Sequence, residues 1–304
     1  MPTTAASAHT QANLWRLIVT GAAAVVGLGL GAVVVFLVAQ GAPALGATST
    51  QLPDGASSLG ALVWPLVLGS AWTGLLALLL AAPVALAAAL FLTQYAPARL
   101  ARVLAVLVDL LAGVPSVVYG LWGMLVVAPV LAPAERLLGV AFGWLPLFAG
   151  TPSATGRTVL TAAIVLAIMI MPIMAALARE VFARTPSAPV EAALALGATH
   201  AEAIRLAVLP PARPGLVAAA MLALGRALGE TMAVAMVLSS NPLHWTWSVL
   251  TSSGPSTAAA FIAQSFPEAS GNQVNALLAL GFALFVVTLA VNAAGRRLAR
   301  GRGC

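Results

Sequence analysis

Long apolar runs, rather than any alternation of apolar and polar positions, organise this chain. Six of them, at 17–39, 62–92, 103–131, 159–178, 216–238 and 274–294, approach or exceed the ~20 residues a helix needs to cross a bilayer. They are rich in Ala, Leu, Gly and Val and lack the period-two pattern of a membrane barrel. The predicted fold class is therefore an all-α membrane protein with six transmembrane helices. The second and third runs are longer than a crossing requires, and Pro65, Pro83 and Pro115 are predicted to kink or divide them. The first run, which follows Arg16, exceeds the roughly 7–15 residues of a secretory h-region and reads as a retained helix. The organisation expected is a tail at 1–16, a six-span body at 17–294 and a basic tail at 295–304. Composition agrees: 61% of residues are hydrophobic and 7% charged, against about a quarter charged in soluble domains. The bilayer must act as solvent for most of the chain.

The net charge of +6 comes entirely from arginine as the basic residue. If the N-terminus is cytoplasmic, eleven of the fourteen arginines fall in inside segments, Arg136 and Arg157 fall outside, and Arg226 lies within a span. That asymmetry predicts a multi-pass inner-membrane protein with both termini cytoplasmic. It also accounts for the basic balance through membrane lipid and topology, without nucleic acid. The outside loop 239–273 is long for a bare loop; its apolar 257–266 stretch predicts a short helix on or in the outer leaflet. Cys304 is the sole cysteine, so no intramolecular disulfide is expected. His9, His200 and His244 are too scattered to predict a metal site.

The cytoplasmic segment 179–213 predicts two short helices joined at a glycine. Pro189 fits a first turn and Glu191 the positive end of a helix dipole. Gly197 can take the left-handed conformation that ends the first helix. Thr199 with Glu202 forms a capping box for the second, which Pro210-Pro211 is expected to stop. On helix signals alone this is an ordinary loop or a compact knob.

Within the membrane the charges are few. Arg226 is placed about 18 Å above Pro214 by helical rise, near the midplane. Glu230, four residues on, is expected on the same helix face. Each charge alone costs roughly 2.5–3.5 kcal/mol at the centre of a span. The two are expected to offset each other, with Gly225 and Gly229 allowing close helix approach. One reading is a neutralised pair that holds helices in register. The other is an anion path, since arginine stays charged and offers a donor fork. In the third run Pro115 frees a carbonyl, and Ser116 and Tyr119 can supply polar contacts to a cavity or a plain kink. Asp109, about 9 Å inside that run, is expected to pair with an arginine of a neighbouring helix.

Three ordered elements, Glu191-Ala192-Ala193, Gly197 and Leu209-Pro210, resemble the EAA loop of ABC importer permeases. One position departs: Ala207 stands where that loop usually has isoleucine. The stretches Ala112-Gly113-Val114-Pro115-Ser116-Val117-Val118-Tyr119-Gly120 and Gly225-Arg226-Ala227-Leu228-Gly229-Glu230-Thr231-Met232-Ala233 resemble signatures of the PstC-type subunit of Pst phosphate permeases. The resemblance implies a type I ABC importer permease (MetI-like) architecture with cytoplasmic coupling helices. It implies a phosphate path at Arg226 and Glu230, and ATPase docking through the 191–210 knob. The implied partners are a second homologous permease, two ATPase subunits and a periplasmic phosphate-binding protein. The chain itself is expected to be non-enzymatic and to bind no cofactor. It has no lysine for a P-loop, so ATP and Mg fall to the ATPase. A permease for molybdate or sulfate, an ion-coupled secondary transporter and a membrane scaffold for an ATPase are the alternatives.

Overall fold

The computed structural model describes residues 3–238, 244–251, 254 and 256–300. Arg302, Cys304, part of the 239–273 loop, and the side chains of His9 and Arg300 lie outside the described residues. Among the described residues, six helical stretches are long and apolar enough to cross a membrane: Trp15–Gly46, Leu59–Tyr95, Ser116–Phe142, Val159–Ala183, His200–Leu228 and Asn272–Arg297.

Twelve α-helices build these stretches and their connections among the described residues: α1 (Thr3–Gly41), α2 (Leu59–Leu90), α3 (Ala98–Ala112), α4 (Ser116–Trp122), α5 (Ala128–Phe142), α6 (Val159–Ala183), α7 (Ser187–Ala195), α8 (His200–Ala203), α9 (Leu209–Leu228), α10 (Met232–Val237), α11 (Ala258–Ser265) and α12 (Asn272–Arg300). α1 and α12 continue through the segments expected as tails, so neither boundary near 16 or 295 is a structural one.

The core forms where α2, α6 and α9 meet. Small residues of α2, Ala77, Ala81 and Ala85, lie in one buried cluster with Met169, Ile170 and Met174 of α6 and with Ala223 and Ala227 of α9. Small side chains let membrane helices approach closely, and bulky ones fill the remaining space. Ser58 and Thr158 cap α2 and α6 by accepting from Ala61 N and Thr161 N. Pro65 and Pro83 sit inside a continuous α2 and do not divide it. α1 leans on α12, with Gly41 against Ala279, and from Trp15 to Val33 it is open in the single chain.

The third span differs from the sequence expectation. The run at 103–131 splits at Gly113–Pro115. Its first part, α3, is a separate amphipathic helix packed on α6, and its apolar face, with Val103 and Leu110, is open in the single chain. Amphipathic helices of this kind suit the membrane interface. The span itself starts at Ser116, passes through a π turn at Gly123–Val127 and ends at Phe142. Pro115 sets the break because it has no N–H for the carbonyl of Leu111.

The apolar stretch of the long loop does form a helix, α11, but it is inserted into protein. Ala258 N donates to Ser70 Oγ at 2.8 Å. Phe261 is buried with Leu62, Leu66, Leu277 and Leu280.

Candidate functional site

The signature around Arg226 straddles a helix break. α9 ends at Leu228 with Gly229 as its C-cap, Glu230 and Thr231 are not helical, and α10 begins at Met232. The four-residue spacing therefore does not place Arg226 and Glu230 on one face, and among the described residues Arg226 makes no ion pair. Instead the buried Glu230 turns forward, and its Oε1 accepts from Ala233 N at 3.3 Å. This contact satisfies an orphan donor at the positive end of α10. Arg226 lies in the last turn of α9 and is exposed in the single chain. A Cβ added at Gly225 meets nothing within 4 Å. The two glycines do not draw helices of this chain together here; Gly229 ends α9 and Gly225 faces open space.

Close approach comes instead from the third-span signature. A Cβ on Gly120 falls 2.8 Å from Ala233 Cα and 2.9 Å from Met236 Sδ. One on Gly123 falls 2.7 Å from Val165 Cγ2. These two glycines seat α4 against α10 and α6. Tyr119 donates its hydroxyl to Leu111 O at 3.1 Å, a carbonyl that Pro115 cannot pair and that also accepts from Val114 N at 3.2 Å. Tyr119 thus ties the end of α3 to α4. Ser116 opens α4 half-buried; among the described residues its hydroxyl makes no hydrogen bond.

Arg157, which sequence reasoning counted only as an outside arginine, fixes the far end of α10. Its Nε and Nη2 donate to Val237 O at 3.2 Å and Met236 O at 3.1 Å. A cation on the last carbonyls of a helix is favourable. The pairing expected of Asp109 is with Arg179 of α6, at 3.3 Å. Asp109 itself lies on α3, outside the six long apolar stretches because it precedes the Pro115 break, whereas Arg179 lies near the C-terminal end of the Val159–Ala183 stretch.

The knob is built as the residues dictate, with two adjustments. α7 starts at Ser187, two residues before Pro189, and ends in a Schellman motif. Gly197 has φ +89°, Ala198 N donates to Ala193 O at 3.1 Å, and Gly197 N donates to Leu194 O at 3.0 Å. Thr199 and Glu202 form the reciprocal capping box of α8. Pro210-Pro211 do not stop the chain's helix. A π turn at Ile204–Val208 leads into α9, and the two prolines occupy its first turn, where no N–H is needed. Glu191, Ala192, Gly197 and Pro210 are exposed, while Ala193 and Leu209 are half-buried. Val190 packs on the buried Phe182, Ile204 and Val208, which fixes α7 to the body. Leu196 projects with 89% of its surface open.

Sequence reasoning missed Glu135 entirely. The loop was expected to begin at 132, but α5 carries Glu135 into the protein, where its side chain is fully buried. Pro133 lies inside α5, and the helix continues past it to Phe142.

Comparison with known proteins places this geometry. The chain is 50% identical over 204 residues to the phosphate transport system permease protein PstC 2 of Mycobacterium tuberculosis, covering 66% of this chain and 62% of that protein. It is 44% identical over 205 residues to the phosphate transport system permease protein PstC of Xylella fastidiosa, covering 64% and 62%. The matched stretch thus spans less than two thirds of these relatives' own length. A chain from inward-facing conformations of the MetNI methionine ABC transporter superposes with a TM-score of 0.58 at 18% identity, over 80% of this chain and 97% of that one. That likeness shows the fold alone, a MetI-like all-α permease architecture. Residues 81–303 match the family described as binding-protein-dependent transport system inner membrane component. From the six apolar stretches, the shared fold and that match over most of its length, the chain belongs to the family of inner-membrane components of binding-protein-dependent transport systems.

Proposed function

We propose that this chain is a transmembrane permease subunit of an ATP-driven importer that carries inorganic phosphate across the inner membrane by alternating access. Arg226 carries the reading. It is a permanent cation in the last turn of a membrane helix, exposed in the single chain and without an ion-pair partner among the described residues. A charge so placed is costly in a span, and an anion passing it offsets that cost. The guanidinium fork matches phosphate oxygens. Glu230, just past the end of α9 and engaged on α10, is proposed to keep Arg226 from holding the anion too tightly, so that the anion is held and released. The names borne by the mycobacterial and Xylella relatives support phosphate over sulfate or molybdate.

The knob formed by α7, Gly197 and α8 is the proposed dock for an ATPase, through Glu191, Ala192, Ala193, Gly197, Leu209 and Pro210. A short rigid helix in a partner's groove transmits domain motion. Two ATPase subunits that bind ATP and Mg, a second homologous permease and a periplasmic phosphate-binding protein complete the assembly. The arginine distribution supports cytoplasmic termini.

The test is uptake of labelled phosphate in a strain lacking this chain, complemented by the parent or by Arg226→Ala, with sulfate and molybdate as competitors. Arg226→Ala is expected to abolish uptake while the ATPase still co-purifies. Normal uptake by that variant at limiting phosphate overturns the site, and strong competition by molybdate or sulfate reassigns the substrate. Uptake in vesicles holding this chain without an ATPase would indicate an ion-driven carrier instead.

A further inference from the structure

Among the described residues no other ionisable side chain is buried as completely as Glu135. It lies on α5, facing the N-terminus of α6, at the end of α6 remote from the knob. Its Oε1 is 2.6 Å from Thr158 Oγ1 and 3.1 Å from Thr161 Oγ1. Thr161 has one hydroxyl proton, and Gly156 O, which can only accept, lies 2.7 Å from that hydroxyl. Thr158 is therefore the one committed donor, and it also accepts from Thr161 N at the start of α6. Oε2 is buried with no hydrogen-bond partner.

Neither arginine beside this cluster neutralises the carboxyl. Arg136 donates to Ala154 O at 3.2 Å, and Arg157 donates to the carbonyls of Met236 and Val237. α6 carries its charged groups, Arg179 and Glu180, at its opposite end. α10 has none, and Glu230 before it is engaged with Ala233 N. His244 is the only titratable group in the described 244–251 segment, and it makes no hydrogen bond to Glu135. An ionised carboxylate with one committed donor, a bare oxygen and no counter-charge is strongly disfavoured in a dry interior, and such a group neutralises instead.

We propose that Glu135 is a proton-binding site: the carboxyl is neutral in this arrangement and releases its proton when α5 separates from the start of α6. On separation the carboxyl O–H bond breaks and the proton passes to entering water, leaving a solvated carboxylate; closure reverses the step. The packed arrangement binds the proton more tightly than the separated one. Acid therefore favours the packed arrangement, and that preference fades as pH rises through the packed-state titration. The latch lies opposite the proposed ATPase dock, so it sets how readily the remote face opens and is independent of the substrate's identity.

The test is infrared spectroscopy of the full chain in lipid vesicles at about pH 7, far above the ordinary glutamic acid titration near 4.3. A protonated-carboxyl C=O band is expected, moved by uniform [13C]glutamate labelling of the unsubstituted chain, lost in Glu135→Gln and retained in Glu230→Gln. Cysteine labelling of Ser153→Cys, beside the latch, in a Cys304→Ser background supplies the second readout. The ratio of its labelling rate with Glu135 to that with Glu135→Gln should rise several-fold from about pH 6 to about pH 9. No carboxyl band at about pH 7, a band that survives Glu135→Gln, or a labelling ratio flat with pH overturns the proposal.

Discussion

Substituting Gly120 by alanine puts a methyl group where α4 meets α10. The new Cβ falls 2.8 Å from Ala233 Cα and 2.9 Å from Met236 Sδ. Carbon atoms rest at about 3.5–4.0 Å, so the shortfall is about 1 Å. The Met236 side chain can swing away; Ala233 Cα is backbone and cannot. Nor can α10 retreat freely, because Arg157 holds its last two carbonyls and Glu230 holds its first turn. Overpacking of this kind costs about 1–3 kcal/mol, and each 1.4 kcal/mol is about a tenfold change in the equilibrium. Gly225→Ala is the matched control. Its methyl meets nothing within 4 Å, and alanine is favoured over glycine in a helix by about 1 kcal/mol. Unfolding free energies in mixed detergent micelles should fall for Gly120→Ala and hold or rise for Gly225→Ala. Phosphate uptake should drop with Gly120→Ala, because α10 carries the Glu230 contact. An unchanged Gly120→Ala alongside a weakened Gly225→Ala would refute the assignment of close contact and open space.

Gly197→Val should lower ATPase co-purification or uncouple hydrolysis from uptake, because a β-branched residue resists φ +89°; full binding with normal coupling counts against the elbow. Arg157→Ala removes two charge-assisted bonds to α10 and should destabilise the chain by about 2 kcal/mol in the same micelle assay. Asp109→Asn should change stability by less than about 1 kcal/mol, since the Asp109 side chain is 54% exposed. Gly156→Ala should sharply reduce the yield of folded protein, because its Cβ would press into Ala128 O from a left-handed backbone, φ +69°.

Apolar run length was enough to read four spans to within about seven residues at each end; the fifth, expected at 216–238, runs His200–Leu228 because the helix begins before Pro210 and ends at Gly229, and the third was read only in part. There hydrophobicity runs on across 103–131, and only Pro115 marks the division between α3 and α4. The knob was legible because Gly197, Thr199 and Glu202 act through local backbone geometry. Pro210-Pro211 misled because a proline pair stops one helix or opens the next, and the π turn that decides between them has no composition signal. The Arg226–Glu230 relation failed for the same reason: a four-residue spacing has meaning only on a continuous helix, and Gly229 ends it. Glu135 could not be read, since its burial depends on the 150–158 segment folding over α5, a contact distant in sequence.

α9 joins the two halves of the proposed machine with a single stiff element. Its 20 residues make a rod of about 30 Å. One end is continuous with the knob, and the other carries the Arg226 guanidinium. Beyond it the non-helical Glu230 and Thr231 form a joint before α10. In the proposed machine a thrust delivered at the knob would pass along α9 toward the cation and be taken up at that joint. The proposed anion station would then travel while α10, its last carbonyls held by Arg157, stays where it is.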